Sequence, residues 1–345
     1  KKSEVGNTDY QGIKVFRIFA DFHERWRAYL CLYNPQTVGK VRKIMKEVKP
    51  DIVWAYVIHG RLSYHCLKIA KQYARAVFLR ANDAMPFAYG KLATKRYLEY
   101  FDGHITWLDH LKEAKKRYNP LRNILIKRYL KYVDKIFAVS DALKIALEQN
   151  GIKNVGVNYT GINVADWQVD PELVRKFKEK HKLSGKKVIF FGGRISGLKG
   201  SEQMDQMFNK VKKEIPEAVL LIPGGPEIGW LSGDELKAAY ASADLVVVPS
   251  VCFDAFPRSN LEAMACKKPV IATCYGGSPE IVQDGVTGFI VNPFDIELMA
   301  ARTIDLLKNQ EKARQFGEAG YERVKQHFSF ESPVNKIISC YQKTL

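Results

Sequence analysis

Short apolar segments alternate with amphipathic helical patterns along this chain, in two successive sets. The front set is "IKVFRIF", "DIVWAYVI", "RAVFLRA" and "KIFAVS", with "NVGVNYTG" as a further strand. The back set is "KVIFFGG", "AVLLIPGG", "DLVVVPS", "PVIATC" and "GFIV". A strand apolar on both faces must be covered on both faces, and strands separated by helices pair in parallel through crossovers. The pattern therefore predicts an α/β chain of two Rossmann-like, doubly wound parallel-sheet domains facing a cleft. Helices are expected at Pro35–Lys49 and Leu62–Tyr73. "DALKIALEQNG" reads as another, capped by Ser140 or Asp141 and ended by Gly151. Glu311–Leu345 is helical apart from a loop at Phe328–Pro333. With 345 residues the chain exceeds what one core usually organises. The expected division is 1–166, 167–325 and a C-terminal helix, 326–345, packing back on the first domain.

Composition narrows the class. The chain is 46% hydrophobic and 26% charged, ordinary for a globular protein in water. Its longest apolar runs, such as Ile52–Ile58 and Leu245–Val248, are strand-length, well short of the ~18 residues a spanning helix needs. There is no secretory signal pattern. The first methionine is Met45, and the start at Lys1 reads as a beginning partway through the first domain. Six cysteines without a CxxC pair argue against a zinc site and a disulfide framework, so a reducing cytoplasm is the expected compartment.

Charge is uneven. Residues 1–166 hold 30 Lys and Arg against 15 Asp and Glu, net +15; residues 167–345 hold 24 against 22, net +2. The front half is expected to meet phospholipid headgroups, a phosphate-bearing acceptor or nucleic acid, unless it is simply a solvated basic face. Lys91–Lys135 carries 12 basic against 5 acidic residues, with Tyr97, Tyr100, Phe101, Trp107, Tyr118, Tyr129 and Tyr132 interleaved. That composition suits an anionic membrane surface at the cytoplasmic face, and equally suits core aromatics with lysine rims. Nucleic acid is not expected as a partner, because no binding motif accompanies the charge.

The chemistry concentrates in "DAFPRSNLEAMACKKPVIATCYGGSPE", Asp254 to Glu280. "LVVVPS" ends a strand, "VCFDAFP" is its exit loop, and Pro257 suits the first turn of the helix "RSNLEAMACK". The free amides of that turn, at Arg258 and Ser259, together with the helix dipole favour a phosphate. Glu262 lies one turn in, where a carboxylate can accept both hydroxyls of a ribose. Asp254 can reach another part of the same ligand. "PVIATC" exits into Gly276, Gly277 and Ser278, where small residues let backbone approach a ligand closely. Gly192 and Gly193 end the first back-half strand, and Arg194 and Lys199 flank the loop that follows, a fork and a point charge suited to a diphosphate. No Asp-x-Asp motif offers a metal, and two cations can stabilise a leaving diphosphate in its place. Taken singly, each residue is more often a surface charge, a first-turn helix acid or a turn glycine. In this order, on successive strand exits, they converge on a diphosphate joined to a ribose on one side and a hydroxyl-rich group on the other.

From roughly Lys187 to Val291 the chain resembles the family 4 retaining glycosyltransferases, which have the GT-B fold. "DAFPRSNLEAMA" matches their acid-x7-Glu pattern, with Asp254 in place of the usual Glu, one methylene shorter; "GGRISGLKG" matches their G-R-x-x-x-x-K-G loop. The resemblance implies that Arg194 and Lys199 bind the diphosphate, Glu262 the ribose, Asp254 the donor sugar, and the amides of Gly276–Ser278 sugar or phosphate. In the front half "KIFAVSDALKIAL" and "TGINVADW" resemble the family more faintly. "VFLRANDAMPF" takes the place of its His-Asp motif, with Asn82 where His is usual. Asn82 can hydrogen-bond a sugar hydroxyl but cannot exchange a proton near neutral pH.

The function expected is a retaining, metal-independent transferase moving a sugar from a UDP- or GDP-linked donor to an acceptor hydroxyl. No cofactor is needed beyond the nucleotide sugar as co-substrate. The acceptor expected is a lipid-linked or cell-surface polysaccharide precursor, entering from the basic first domain. The competing functions are a non-catalytic nucleotide-sugar or polyanion-binding protein of the same fold, and a nucleotide-sugar epimerase or phosphorylase.

Overall fold

The computed structural model describes residues 5–21 and 23–342; the start at Lys1 lies outside them. Two compact units emerge. Residues 140–142 and 159–336 make the second, and the other described residues make the first.

The first unit opens with a two-stranded antiparallel ribbon, β1 (Gly6–Tyr10) and β2 (Ile13–Arg17). Here the sequence reading fails: "IKVFRIF" is extended but does not join the parallel sheet. Gln11 and Gly12 both sit at positive φ, a geometry whose twist closes a hairpin, and the Gly12 amide donates to Asp9 Oδ1 at 2.8 Å. The parallel sheet consists of β3 (Ile52–Tyr56), β4 (Ala76–Ala81), β5 (Lys135–Ala138) and β6 (Val155–Val157), in the spatial order β3-β4-β5-β6.

Local chemistry sets the flanking helices. Pro35–Val48 starts where the Asn34 side chain accepts from the Gln36 amide, and stops where Lys49 turns left-handed. Its apolar stripe, Val38 and Val41, packs on Cys66 and Ile69 of the helix His65–Tyr73. Trp54, Phe78 and Phe137 share one face of the sheet, and Tyr341, from the helix Glu331–Gln342, stacks on Phe78 with ring centroids 5.8 Å apart.

The second unit has one five-stranded parallel sheet: β7 (Lys187–Phe191), β8 (Ala218–Leu221), β9 (Leu245–Val248), β10 (Val270–Thr273) and β11 (Gly288–Val291). Their spatial order is β11-β10-β9-β7-β8. Period-two alternation divides the core. Ile189, Phe191, Leu245 and Val247 point to a cluster with Met204, Met207 and Met299, from the helices Ser201–Glu214 and Ile296–Lys308. Phe190 points the other way and stacks on Tyr240 of the helix Gly233–Ser242, centroids 4.1 Å apart. Helices thus cover both faces, as the uniformly apolar strands require. The helix Gln310–His327 follows, and the loop before the next helix is shorter than "Phe328–Pro333" because that helix begins at Glu331.

Candidate active site

The strand order locates the site. The chain leaves β7 toward β8, then returns across β7 to lay β9 on its other side. The crossovers on either side of β7 therefore diverge, and a crevice opens outside the carboxyl ends of β7 and β9, where ligands bind in open α/β sheets. The loops leaving these two strands are Gly192–Gly200 and Pro249–Pro257.

The β7 loop is fitted closely to its neighbour. The Gly192 amide donates to Val247 O at 2.8 Å, and the Gly192 Cα lies against Val248 and Ser259. Gly193 packs beside Phe191 and Lys199. Gly200 has φ +78, and a Cβ there would stand 1.9 Å from the Pro249 carbonyl oxygen, so only glycine lets the loop meet the β9 exit. This approach delivers Lys199, whose ammonium is paired with Asp254. The Ser250 hydroxyl donates to the same carboxylate at 3.3 Å. The two residues assigned by resemblance to diphosphate and donor sugar are therefore direct partners of each other. Arg194 is exposed and has no ion pair among the described residues.

The helix after the β9 loop runs Arg258–Ala265, and Pro257 is its N-cap rather than its first residue. No side chain caps this end. The amides of Arg258 and Ser259 are left for a ligand or water, at the positive end of the helix dipole. Glu262 is nearly buried, its side chain 15% exposed. It accepts from the Tyr240 hydroxyl at 2.9 Å and lies 3.8 Å from the Arg258 guanidinium. Burial pushes its carboxyl above the usual carboxylate value, against the pull of Tyr240 and Arg258.

Gly276 and Gly277 make their closest approach to protein backbone. Gly276 has φ +68, and a Cβ there would stand 2.0 Å from the Asp254 carbonyl oxygen; the Gly277 amide donates to that oxygen at 2.9 Å. The β10 exit is thereby clamped to the loop carrying Asp254. Ser278 is fully buried, its hydroxyl 3.3 Å from the Asn260 amide. Glu280 accepts from the amides of Asp141 and Ala142, each at 2.8 Å. Gly192, Gly193, Lys199, Asp254, Ser259, Gly276, Gly277 and Ser278 therefore form one assembly at the carboxyl edge of this sheet.

Asn82 belongs to the first unit, just past the carboxyl end of β4. Its oxygen accepts from Arg80 at 3.3 Å, and its buried Nδ2 has no partner among the described residues. Beside it stands a residue absent from the sequence-based site: His59, past the end of β3, is buried with Nε2 3.4 Å from Asp83 Oδ2. Burial lowers the His59 pKa, and Asp83 pulls it back up. The available signal was position, the first polar residue beyond an apolar strand. Tyr240, which orients Glu262, was also missed, although a Tyr inside an apolar helix needs a partner for its hydroxyl.

Among the described residues no group of three or more His, Cys, Asp or Glu is placed to hold a metal ion, and all six cysteines are free. No helix among them is long and apolar enough to cross a membrane.

Known proteins match this arrangement over nearly the whole chain. The family described as Glycosyl transferases group 1 matches residues 174–323, and the one described as Glycosyltransferase Family 4 matches residues 10–166. The chain belongs to this glycosyltransferase family. It is similar to the putative glycosyltransferase YtcC of Bacillus subtilis, 26% identical over 221 residues, covering 55% of this chain and 54% of YtcC. It thus spans about half the length of such curated relatives. Solved structures share the fold. Anabaena HepE in complex with UDP-glucose aligns with a TM-score of 0.66 at 16% identity, over 88% of this chain and 82% of that one. Sucrose-phosphate synthase from Thermosynechococcus elongatus aligns with a TM-score of 0.74 at 18% identity, over 98% and 85%. The GT-B glycosyltransferase architecture, with two parallel-sheet α/β domains, is therefore that of this chain.

Proposed function

We propose that this chain is a retaining, metal-independent glycosyltransferase that moves a sugar from a UDP- or GDP-linked donor to an acceptor hydroxyl. One observation carries the reading. At the crevice between β7 and β9 are an uncapped helix N-terminus, the exposed Arg194, an acid paired with Lys199 and a mostly buried second acid. The amides of Arg258 and Ser259 with the two cations suit a diphosphate. Glu262, fixed by Tyr240, suits the two hydroxyls of a ribose, and Asp254 suits the donor sugar. The UDP-glucose held by the same-fold HepE agrees in ligand class.

In the reaction the bond between the sugar's anomeric carbon and the diphosphate breaks as the acceptor oxygen bonds to that carbon on the same face. The acceptor's proton passes to the departing phosphate. Lys199 and Arg194 stabilise the charge that develops on that phosphate, the role a metal would otherwise fill. No separate general base is required.

The proposed acceptor is a lipid-linked or cell-surface polysaccharide precursor, met at an anionic membrane surface. The support is the segment Lys91–Lys135, where Tyr100, Phe101, Leu108, Leu111, Leu121 and Ile124 stay exposed among lysines. The test is nucleotide release from a panel of UDP-, GDP- and ADP-sugars, with excess EDTA and membrane lipid extract as acceptor. Release from one donor, unaffected by EDTA and stimulated by lipid, is expected. Nucleotide binding with no turnover on any donor would favour a non-catalytic binding protein instead.

A further inference from the structure

The first unit contains a polar, aromatic cavity that the donor-site chemistry does not use. It has a volume of about 400 Å³ and lies among the helix Trp107–Ala114, the helix Arg122–Leu130 and the turn at Gly151. Gly151 precedes β6 at its amino end, whereas Asn82 and His59 follow the carboxyl ends of β4 and β3. Neither Asn82 nor His59 lines the cavity.

Its walls are built rather than incidental. A reciprocal cap between Thr106 and Asp109 fixes the start of the first helix, and with it Trp107 and His110. Asn150 ties the floor, accepting from the Ile105 amide at 3.1 Å and donating to Gly103 O at 2.8 Å. Asn123 is held three ways. Its oxygen accepts from the buried Arg122, and its Nδ2 donates to Phe87 O at 2.8 Å and faces His110 Nε2 at 3.0 Å.

That last contact decides the chemistry of His110. The amide donates, so Nε2 accepts, and the imidazole proton sits on Nδ1. Burial, with Arg122 nearby, lowers the His110 pKa below the ordinary imidazole value. His110 Nδ1 is buried and has no hydrogen-bond partner among the described residues. A buried donor left unpaired is destabilising, so an acceptor from outside the protein is expected there. Two further features of the wall show what else that visitor carries. Trp107 is 66% exposed and offers an aromatic face, with Tyr118 also on the wall. Lys127 brings an ammonium that has no ion pair among the described residues.

We infer that this cavity is a second carbohydrate site, for a pyranose bearing an anionic group, in which Trp107 receives the sugar's apolar face while His110 and Lys127 meet its oxygens and its charge. The cavity lies within the size range of small-molecule sites. The anionic group is a carboxylate if the ligand is a uronic acid, and a phosphate if it is a sugar phosphate. The inference is independent of the donor-site reading.

The test is fluorine NMR of the protein labelled with 5-fluorotryptophan, the Trp107 resonance being assigned with Trp107→Phe. Glucuronate, glucose 6-phosphate, glucose and inorganic phosphate are the probes. Saturable shifts of the Trp107 signal are expected with an anionic sugar, about tenfold tighter than with glucose, as one charge-assisted contact implies. Whichever anionic sugar binds more tightly identifies the source. Lys127→Ala, at an exposed position, should remove that preference. No saturation with either anionic sugar by about 10 mM would overturn the inference. So would equal responses to glucose, to inorganic phosphate, or in the Lys127→Ala protein.

Discussion

The two units use the same raw material to different ends. Both are parallel sheets of short apolar strands, but the first runs β3-β4-β5-β6 in simple succession while the second reverses direction at β7. Only the reversal opens a crevice flanked by two strand exits, and among the described residues it is there that an uncapped helix, Lys199 and two acids stand, with the exposed Arg194 on the same loop as Lys199. Charge makes the contrast sharper. The first 166 residues carry net +15 and the remainder +2, yet the cradle suited to a diphosphate lies in the nearly neutral half. On the proposed reading, phosphate recognition depends on where a few groups stand, and the bulk surplus of the other half is left for a broader anionic partner.

Removing the local cations should break the contrast most severely. Arg194→Ala combined with Lys199→Ala is expected to cut turnover by about a thousandfold or more, the scale of losing preorganised charge at a reacting oxygen. The melting temperature should fall by several degrees but the fold should persist, because Arg194 is exposed while Lys199→Ala leaves the mostly buried Asp254 carboxylate with only the Ser250 hydroxyl. Calorimetry beside steady-state kinetics separates the two readouts, and an unfolded double variant would show the pair to be structural. Next in size, Glu262→Ala should weaken nucleotide binding about ten- to a hundredfold, the range for hydrogen bonds to a charged group. It also strands the buried Tyr240 hydroxyl, so Glu262→Gln is the control that keeps that contact. Unchanged nucleotide affinity in both variants would remove Glu262 from the ribose.

The first unit should behave in the opposite way. Asn82→Ala is expected to lower kcat/KM about tenfold, the value of roughly one hydrogen bond, while nucleotide affinity stays the same. A matching loss of nucleotide affinity would erase the division of labour.

The smallest effect concerns pH. His59, His65 and His110, all in the first unit, are held below the ordinary imidazole value chiefly by burial; in the second unit the same holds for His181. A base with a depressed folded pKa binds fewer protons folded than unfolded. Its contribution to stability is present above about pH 6.5 and is lost as pH falls through the folded value. Hydrogen exchange at pH 7.5 and 5.5 should therefore show β4 and the helices at 65–73 and 107–114 losing protection before β7, β9 and β10. Equal losses would contradict that ordering.

Much of this was legible in the sequence because the relevant forces are local. Uniformly apolar runs such as Leu245–Val248 announce a doubly covered strand, and the acid-x7-Glu spacing with its Pro and helix places Glu262 without any coordinates. What stayed hidden depends on distant partners. Nothing local to Ile13–Phe19 says that its partner is a five-residue strand beginning at Gly6 rather than β3. The glycine pair 276–277 is as permissive as expected, yet what approaches it is the backbone of Asp254. Tyr240 and His59 acquire meaning only through Glu262 and Asp83, residues 22 and 24 positions away.

The most direct measurement is hydrogen exchange of the whole chain with and without a saturating nucleoside diphosphate, UDP and GDP in turn. Slowed exchange at 192–200, 254–262 and 276–278, with β3 to β6 unchanged, is the predicted result. Protection confined to the segments around His59 and Asn82, with the β7 and β9 exits unaffected, would contradict it.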